Sequence, residues 1–209
     1  MKRGGNMAES HPSENHRLLV STRNAHKVGE IRAILGPEFT VSDLSILPGM
    51  GEVEETGVTF EENATLKAVA ASGRFDDWVI ADDSGLAVDA LGGAPGVHSA
   101  RYSGAGATDA ANKALLLKNL AGVRGKDRSA RFWCLIVLAR AGRKLAAFSG
   151  TVEGIIVPVA KGEGGFGYDS LFLPDGHCET FGQLPAAVKN QLSHRARALE
   201  KLRDWRGWW

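Results

Sequence analysis

Asp82 and Asp83 stand side by side in the stretch VIADDSGLAVDALGGAPGVHSARYSG, directly after an apolar run and directly before Ser84 and Gly85. Burying a carboxylate without a partner costs several kcal/mol. A pair in this position therefore points either to a turn, which Asp, Ser and Gly all favour, or to a bound cation. Mg²⁺ takes carboxylate oxygens and leaves its other positions to water and phosphate. Glu55, in GEVEETG, and Asp83 could supply two such oxygens, while Asp82 or Asp83 orients or deprotonates an attacking water.

Other segments offer partners for that chemistry. STRNAHK is a polar turn between a strand and a helix; the free N–H groups of the helix start, with Lys27 beside them, make an anion site. The plainer alternative is an Asn24 cap with a surface lysine. Lys67 follows Phe60 and Ala64 at helical intervals, and a lysine on an inner face either meets an anion or snorkels to water. In GEGGFGYDSLF, Phe166 and Tyr168 offer flat faces for a base and Asp169 can bond its edge, unless the segment is simply a tight turn. Ser193 can cap a last helix, leaving His194 and Arg195 in a first turn where the helix dipole disfavours cations. That favours an anionic or oxygen-rich ligand over a solvated basic face continuing through Arg197, Lys201, Arg203 and Arg206.

Several chemistries are excluded. The phosphate turn has neither the glycines nor the Gly-Lys-Ser/Thr ending of a Walker loop. Glu54, Glu55 and Gly57 imitate the end of a Nudix box, but Met50, Gly51 and Glu52 stand where Arg, Glu and an apolar residue belong. There is no Asp-x-Asp-x-Thr phosphatase pattern, and no Gly-x-Ser-x-Gly elbow surrounds Ser84.

Elements must hold these residues together. RLLVST (17–22) reads as a strand and AHKVGEIRAIL (25–35) as a helix with Val28, Ile31 and Leu35 inward. Thr59 and Glu62 have capping-box spacing ahead of a helix ending at Gly73. WVIAD and LAVDAL read as two short strands, and Thr108 caps a third helix. ARFWCLIVLAR and KLAAFSGTVEGIIV read as a long hairpin turning at Gly142. LPAAVKNQ and SHRARALEKLRDW read as two final helices, with Ala196, Leu199 and Leu202 on one face of the second. The expected fold is a mixed α/β domain of two lobes with a central cleft, spanning residues 17–209 after a disordered leader (1–16) that carries the solvated His11 and His16. The DWRGWW tail can pack on the core or on another subunit, with single-stranded nucleic acid the weaker alternative.

A net charge of +1 argues against nucleic acid or a membrane surface as partner, and no apolar run is long enough to cross a bilayer. Cys134, in an apolar strand, reads as a buried thiol; with Cys178 far away, cysteine usage fits a reducing cytoplasm.

The segments TRNAHK, EETGVTFEENATLKA, ADDSGLAVDALGGAPGVHSARYSG, GGFGYDSLF and SHR, in this order, resemble the inosine/xanthosine triphosphate pyrophosphatase family. The resemblance implies Mg²⁺-dependent hydrolysis of ITP, dITP and XTP to the monophosphate and pyrophosphate, by a cytoplasmic homodimer with a long mixed sheet. It implies that Thr22, Arg23, Asn24, Ala25, His26 and Lys27 hold the triphosphate. Glu55 and Asp83 bind the metal, Asp83 also being the catalytic carboxylate, and Lys67 contacts phosphate or orients water. Ser84, Phe166, Gly167, Tyr168, Asp169, Lys189, His194 and Arg195 complete the nucleotide site. Acidic residues usual in that family before the final lysine are replaced here by LPAAV, which leaves the reach of Lys189 open. A pyrophosphatase for other modified nucleotides, or a non-catalytic nucleotide sensor, would share much of this pattern.

Overall fold

The structure, a computed structural model, describes residues 16–51 and 53–208. The leader up to residue 15, with His11, Glu52 and the last tryptophan of the tail all lie outside the described residues. The elements run β1 (His16–Val20), α1 (Ala25–Leu35), β2 (Phe39–Asp43), α2 (Phe60–Ser72), β3 (Trp78–Val88), α3 (Asp109–Asn119), β4 (Ser129–Arg140), β5 (Arg143–Ile156), β6 (Phe172–Pro174), α4 (Ala186–Leu192) and α5 (His194–Arg203). The strands form one mixed sheet in the order β2-β1-β3-β4-β5-β6. β1 runs parallel to β2 and β3, and the other neighbours are antiparallel.

Local signals set the helix ends. Asn24 accepts the Lys27 N–H and starts α1, which buries Val28, Ile31 and Leu35. The Thr59–Glu62 capping box starts α2, and Thr108 and Ser193 cap α3 and α5. The β4–β5 turn is Ala141-Gly142 with φ of 51° and 72°, the pair of left-handed residues that a two-residue hairpin requires. Two strands are absent from the sequence reading: β2, whose Phe39 and Val41 alternate inward, and the short β6.

One correction decides the site. WVIAD and LAVDAL are not two strands: β3 runs unbroken from Trp78 to Val88, paired residue by residue with β4 from Val79↔Ala139 to Val88↔Ala130. The ladder to an apolar partner strand overrides the turn preference of Asp-Asp-Ser-Gly. β1 pairs with β3 only as far as Ile80, so from there until Ala87, which bridges Pro95, that edge of β3 has no strand partner.

Alternation sorts the side chains of β3. Ile80, Asp82, Ser84, Leu86 and Val88 share a face. Ile80 belongs to a core with α1 and α5, while Leu86 and Val88 belong to a second core with Phe132, Phe172 and Phe181. Asp82 and Ser84 are the polar break between the two apolar cores. On the opposite face, Ala81 packs with Ala64 and Ala68 of α2.

One expectation about the chain ends changes, and one is narrowed to the core among its alternatives. His16 opens β1 and its ring packs on Phe39 and Trp208, so it is half-buried rather than solvated. The tail packs on the core: Trp205 and Trp208 meet Trp78 edge-on, and the buried Trp208 donates its indole N–H to the Leu202 carbonyl. Arg197 and Lys201 of α5 bond the Thr151 and Ser149 carbonyls of β5, which ties down part of the basic face.

Candidate active site

A cleft of about 890 Å³ opens where β1 ends and β3 continues, with Phe132 and Tyr168 of the second core in its lining. This is the crevice beyond the carboxyl ends of parallel strands, where a chain reversing around the switch point leaves room for a ligand.

At its floor, Lys67 of α2 donates to Asp83 Oδ1 at 2.9 Å and to Glu55 Oε1 at 2.8 Å. Arg101 takes the other Glu55 oxygen at 3.0 Å. Burial works against the charge on Lys67, but Asp83 and Glu55 outweigh it and hold the ammonium above its ordinary value. Burial would raise Glu55 too; Lys67 and Arg101 instead hold it below the usual carboxylate range. Asp83 differs. Burial dominates and pushes it up despite Lys67, and its Oδ2 is buried with no hydrogen-bond partner.

Asp82 faces the other way and is fully paired. It receives Lys27 Nζ at 2.6 Å, Arg195 Nε at 2.8 Å, Ser84 Oγ at 2.7 Å and the Cys134 thiol at 3.2 Å. Burial alone would raise it; Arg195 and Lys27 hold it well below the usual range. The Asp82 carbonyl, on the open strand edge, accepts from both Lys27 and Lys67, so the two halves of the site meet at one peptide.

A second polar cluster lies beneath the Gly-rich loop. Lys189 is only 4% exposed and bridges Glu30 and Asp169, while Arg195, 1% exposed, bridges Glu30 and Asp82. The open question about Lys189 is answered by Pro185 at the start of α4, which seats the lysine inward. Burial pushes Asp169 up although Lys189 opposes it. The anions expected from the basic start of α5 are thus side chains of the protein itself. His194 is no cation: burial and Arg195 hold it well below its ordinary value, its ring stacks on Phe132, and its Nδ1 is buried without a partner.

The aromatic loop divides its residues. Phe166 lies in the cleft with Lys189 5.0 Å and Arg195 5.8 Å from its ring centre. Tyr168 is buried and donates to the Ser99 carbonyl, so its face supports the loop and does not present a stacking surface. The Gly167 N–H is held by Asp109 at 2.6 Å and the Phe166 N–H by Asp169 at 2.9 Å. In the phosphate turn, Thr22, Arg23, Asn24 and Lys27 line the cleft, though the Arg23 guanidinium reaches across to the Met50 carbonyl. Ala25 opens α1, and the His26 ring turns away to stack on Phe166. Ser84 is absorbed in the Asp82–Arg195 network.

Glu30, Arg101 and Asp109 were missed from sequence. Glu30 had a signal: it follows Lys27 by three residues in α1, so the two share a face. Nothing local marked Arg101 or Asp109.

The chain compares closely with known proteins. It is 50% identical to a Geobacter sulfurreducens protein named dITP/XTP pyrophosphatase, over 92% of this chain and 97% of that one. A Halalkalibacterium halodurans protein of the same name is 47% identical over 90% of this chain and 97% of its own. Among solved structures, the Staphylococcus aureus Ham1 protein is 41% identical with a TM-score of 0.79, covering 90% of this chain and 96% of that chain. A Mycobacterium abscessus structure described as a nucleoside-triphosphatase / dITP/XTP pyrophosphatase is 39% identical with a TM-score of 0.72, covering 90% and 100%. The profile of the Ham1 family matches residues 18–205, and the chain belongs to that family.

Proposed function

We propose that this chain hydrolyses deaminated purine nucleoside triphosphates, ITP, dITP and XTP, between the α and β phosphorus atoms, releasing the monophosphate and pyrophosphate. The observation that carries the proposal is the Lys67 ammonium set between Asp83 and Glu55 in the cleft, with one Asp83 oxygen buried and unpaired. The relatives named above support the substrate class.

The residues suit Mg²⁺. Asp83 and Glu55 are hard oxygen donors, and among the described residues no cluster of three His, Cys, Asp or Glu forms an all-protein cage. Mg²⁺ asks for one or two carboxylates and takes phosphate and water oxygens for the rest. When bound, the ion would draw charge from the phosphate oxygens.

The chain's own groups account for the rest. Asp83, raised by burial, is placed to accept a proton from water as the oxygen attacks the α phosphorus and the bond to the bridging oxygen breaks. Lys67 and Lys27, with the helix start at Asn24, set positive charge along the polyphosphate. At the base end, Arg195 and Lys189 have most of their N–H groups committed to Asp82, Glu30, Ser84 and Asp169. Of five and three N–H groups, one remains on each. An oxygen at the six position of the base accepts such a donor; the adenine amino group does not, and an unpaired buried donor is a strong basis for rejection.

A homodimer belongs to the same proposal, and Trp133, 37% exposed on β4, is apolar surface available for it. So does a cytoplasmic setting, where the free thiols of Cys134 and Cys178 stay reduced. No helix among the described residues is long and apolar enough to cross a membrane.

Offering ITP, XTP, dITP, ATP, GTP and dUTP with Mg²⁺ or with EDTA, and separating the products, tests the proposal. Pyrophosphate from the deaminated purines alone, lost in EDTA, is the expected result. Orthophosphate release, or equal use of ATP, would overturn it.

A further inference from the structure

The Gly-rich loop that carries Phe166 is fixed by its glycines and by two hydrogen bonds. Gly165 and Gly167 flank the phenylalanine with φ of 72° and 59°, values that only glycine adopts without strain. The backbone is tethered on both sides, by Asp169 to the Phe166 N–H and by Asp109 to the Gly167 N–H. Those bonds hold the peptide groups and not the phenyl ring, which has the Lys189 ammonium at 5.0 Å and the Arg195 guanidinium at 5.8 Å as neighbours. The flat surface that meets the ring is the imidazole of His26, stacked at 5.3 Å between centroids and tilted by 18°.

His26 is the second residue of α1, next to Lys27, and exposed to solvent. The sequence reading placed it among the phosphate ligands. Its ring instead joins the start of α1, where the polyphosphate is proposed to bind, to the aromatic slab proposed for the base.

We infer that His26 is a positioning residue for base binding: its imidazole backs the Phe166 ring on one face and holds it flat for a purine on the other. The inference rests on the base-pocket reading given above. A ring held in place before the ligand arrives loses less freedom on binding, and that saving appears as affinity. The expected size follows from aromatic stacks, which amount to about two- to tenfold in an equilibrium constant. Because His26 acts through Phe166, the benefit falls on ligands that carry a base and not on bare polyphosphate.

The test compares wild type with His26→Ala, His26→Leu and His26→Phe. It measures kcat and KM for ITP, binding of IMP, and inhibition by inorganic pyrophosphate. Ala and Leu should raise KM and weaken IMP by about two- to tenfold, with kcat within twofold and pyrophosphate inhibition unmoved. Phe, which restores a flat ring, should recover the wild-type KM, whereas Leu restores only apolar bulk. The inference is overturned if Ala binds IMP as well as or better than wild type, which would make the stack neutral or an obstruction. It is also overturned if pyrophosphate weakens alongside IMP, which would make His26 a phosphate ligand, or if kcat falls while KM holds. Should wild type itself fail to bind IMP, the base-pocket reading goes and this inference with it; wild-type binding with unchanged variants removes this inference alone.

Discussion

Asp82 and Asp83 are neighbours in β3 yet face opposite sides of the sheet, Asp82 into Lys27 and Arg195 and Asp83 toward Lys67. The pleat of a continuous strand does this without any turn. It gives two adjacent carboxylates two different jobs. Asp82 is fully buried, saturated with donors and held in its charged form. Asp83 keeps an unpaired oxygen and is raised by burial, which suits a group that takes and gives a proton.

Asp83→Asn should therefore cost about 100-fold or more in kcat, the usual scale for loss of a general base. IMP affinity and melting temperature should stay close to wild type, because Glu55 still pairs Lys67. Single-turnover hydrolysis of ITP with parallel IMP titration reads both. Turnover near the wild-type rate would remove Asp83 from the chemistry.

Asp82→Ala should fail differently. It strips Arg195 and Lys27 of a buried counterion, a loss of about 3–5 kcal/mol in comparable cases. Urea unfolding should show that loss whether or not nucleotide is present. A variant as stable as wild type would show that the cations find other partners.

Glu30→Gln tests the bridge that joins the two base-end cations. Lys27, Lys189 and Arg195 face Asp82, Asp169 and Glu30, three charges of each sign. Gln keeps one acceptor oxygen and turns the other into an N–H donor, so the cluster gains an excess positive charge and either Lys189 or Arg195 loses its acceptor. KM for ITP should rise, and the preference for ITP over ATP should shrink by about tenfold, the value of one well-placed donor. An unchanged ITP/ATP ratio would mean that selection lies elsewhere.

The sequence made the helices and their caps legible because capping is a matter of residues three apart, such as Thr59 and Glu62. The hairpin was legible for the same reason, in the glycine at its turn. The continuity of β3 was not, since Asp-Asp-Ser-Gly favours a turn locally and the ladder that overrides it comes from β4, some fifty residues on. Helical spacing puts Lys67 on an inner face and leaves open whether it meets an anion or snorkels; its pairing with Asp83 and Glu55 is seen only in the fold. The Arg101–Glu55 pair could not be read even that far, because it joins residues 46 apart with no periodicity to connect them. For the same reason the basic start of α5 suggested an external anion, when Glu30 and Asp82 already supply it.

His194 gives a pH prediction. Unfolded, it binds a proton near the ordinary value of 6.5; folded, burial and Arg195 hold it well below that. As pH falls below about 6.5 the unfolded chain therefore binds more protons, and stability is lost. Asp83 and Asp169, raised by burial, act in the opposite sense, so the variant is read against wild type. His194→Gln should flatten the fall in melting temperature between about pH 7 and 5. Equal slopes would mean that the buried imidazole is not what makes the fold acid-sensitive.

Gly150 links the sheet to the base end of the cleft. A Cβ there would stand 2.1 Å from the His194 carbonyl and 2.7 Å from the Ala198 nitrogen, so α5 lies on β5 closer than any side chain allows. Gly150→Ala must push the start of α5 outward, at a cost of about 1–3 kcal/mol for overpacking. The shift carries Arg195 and His194 with it, since both sit in the first turn of that helix. Melting temperature should fall and KM for ITP should rise together, with pyrophosphate inhibition less affected because Lys27 and Lys67 stand on α1 and α2. Loss of stability without any change in KM would show that Asp82 and Glu30 hold Arg195 in place independently of its helix.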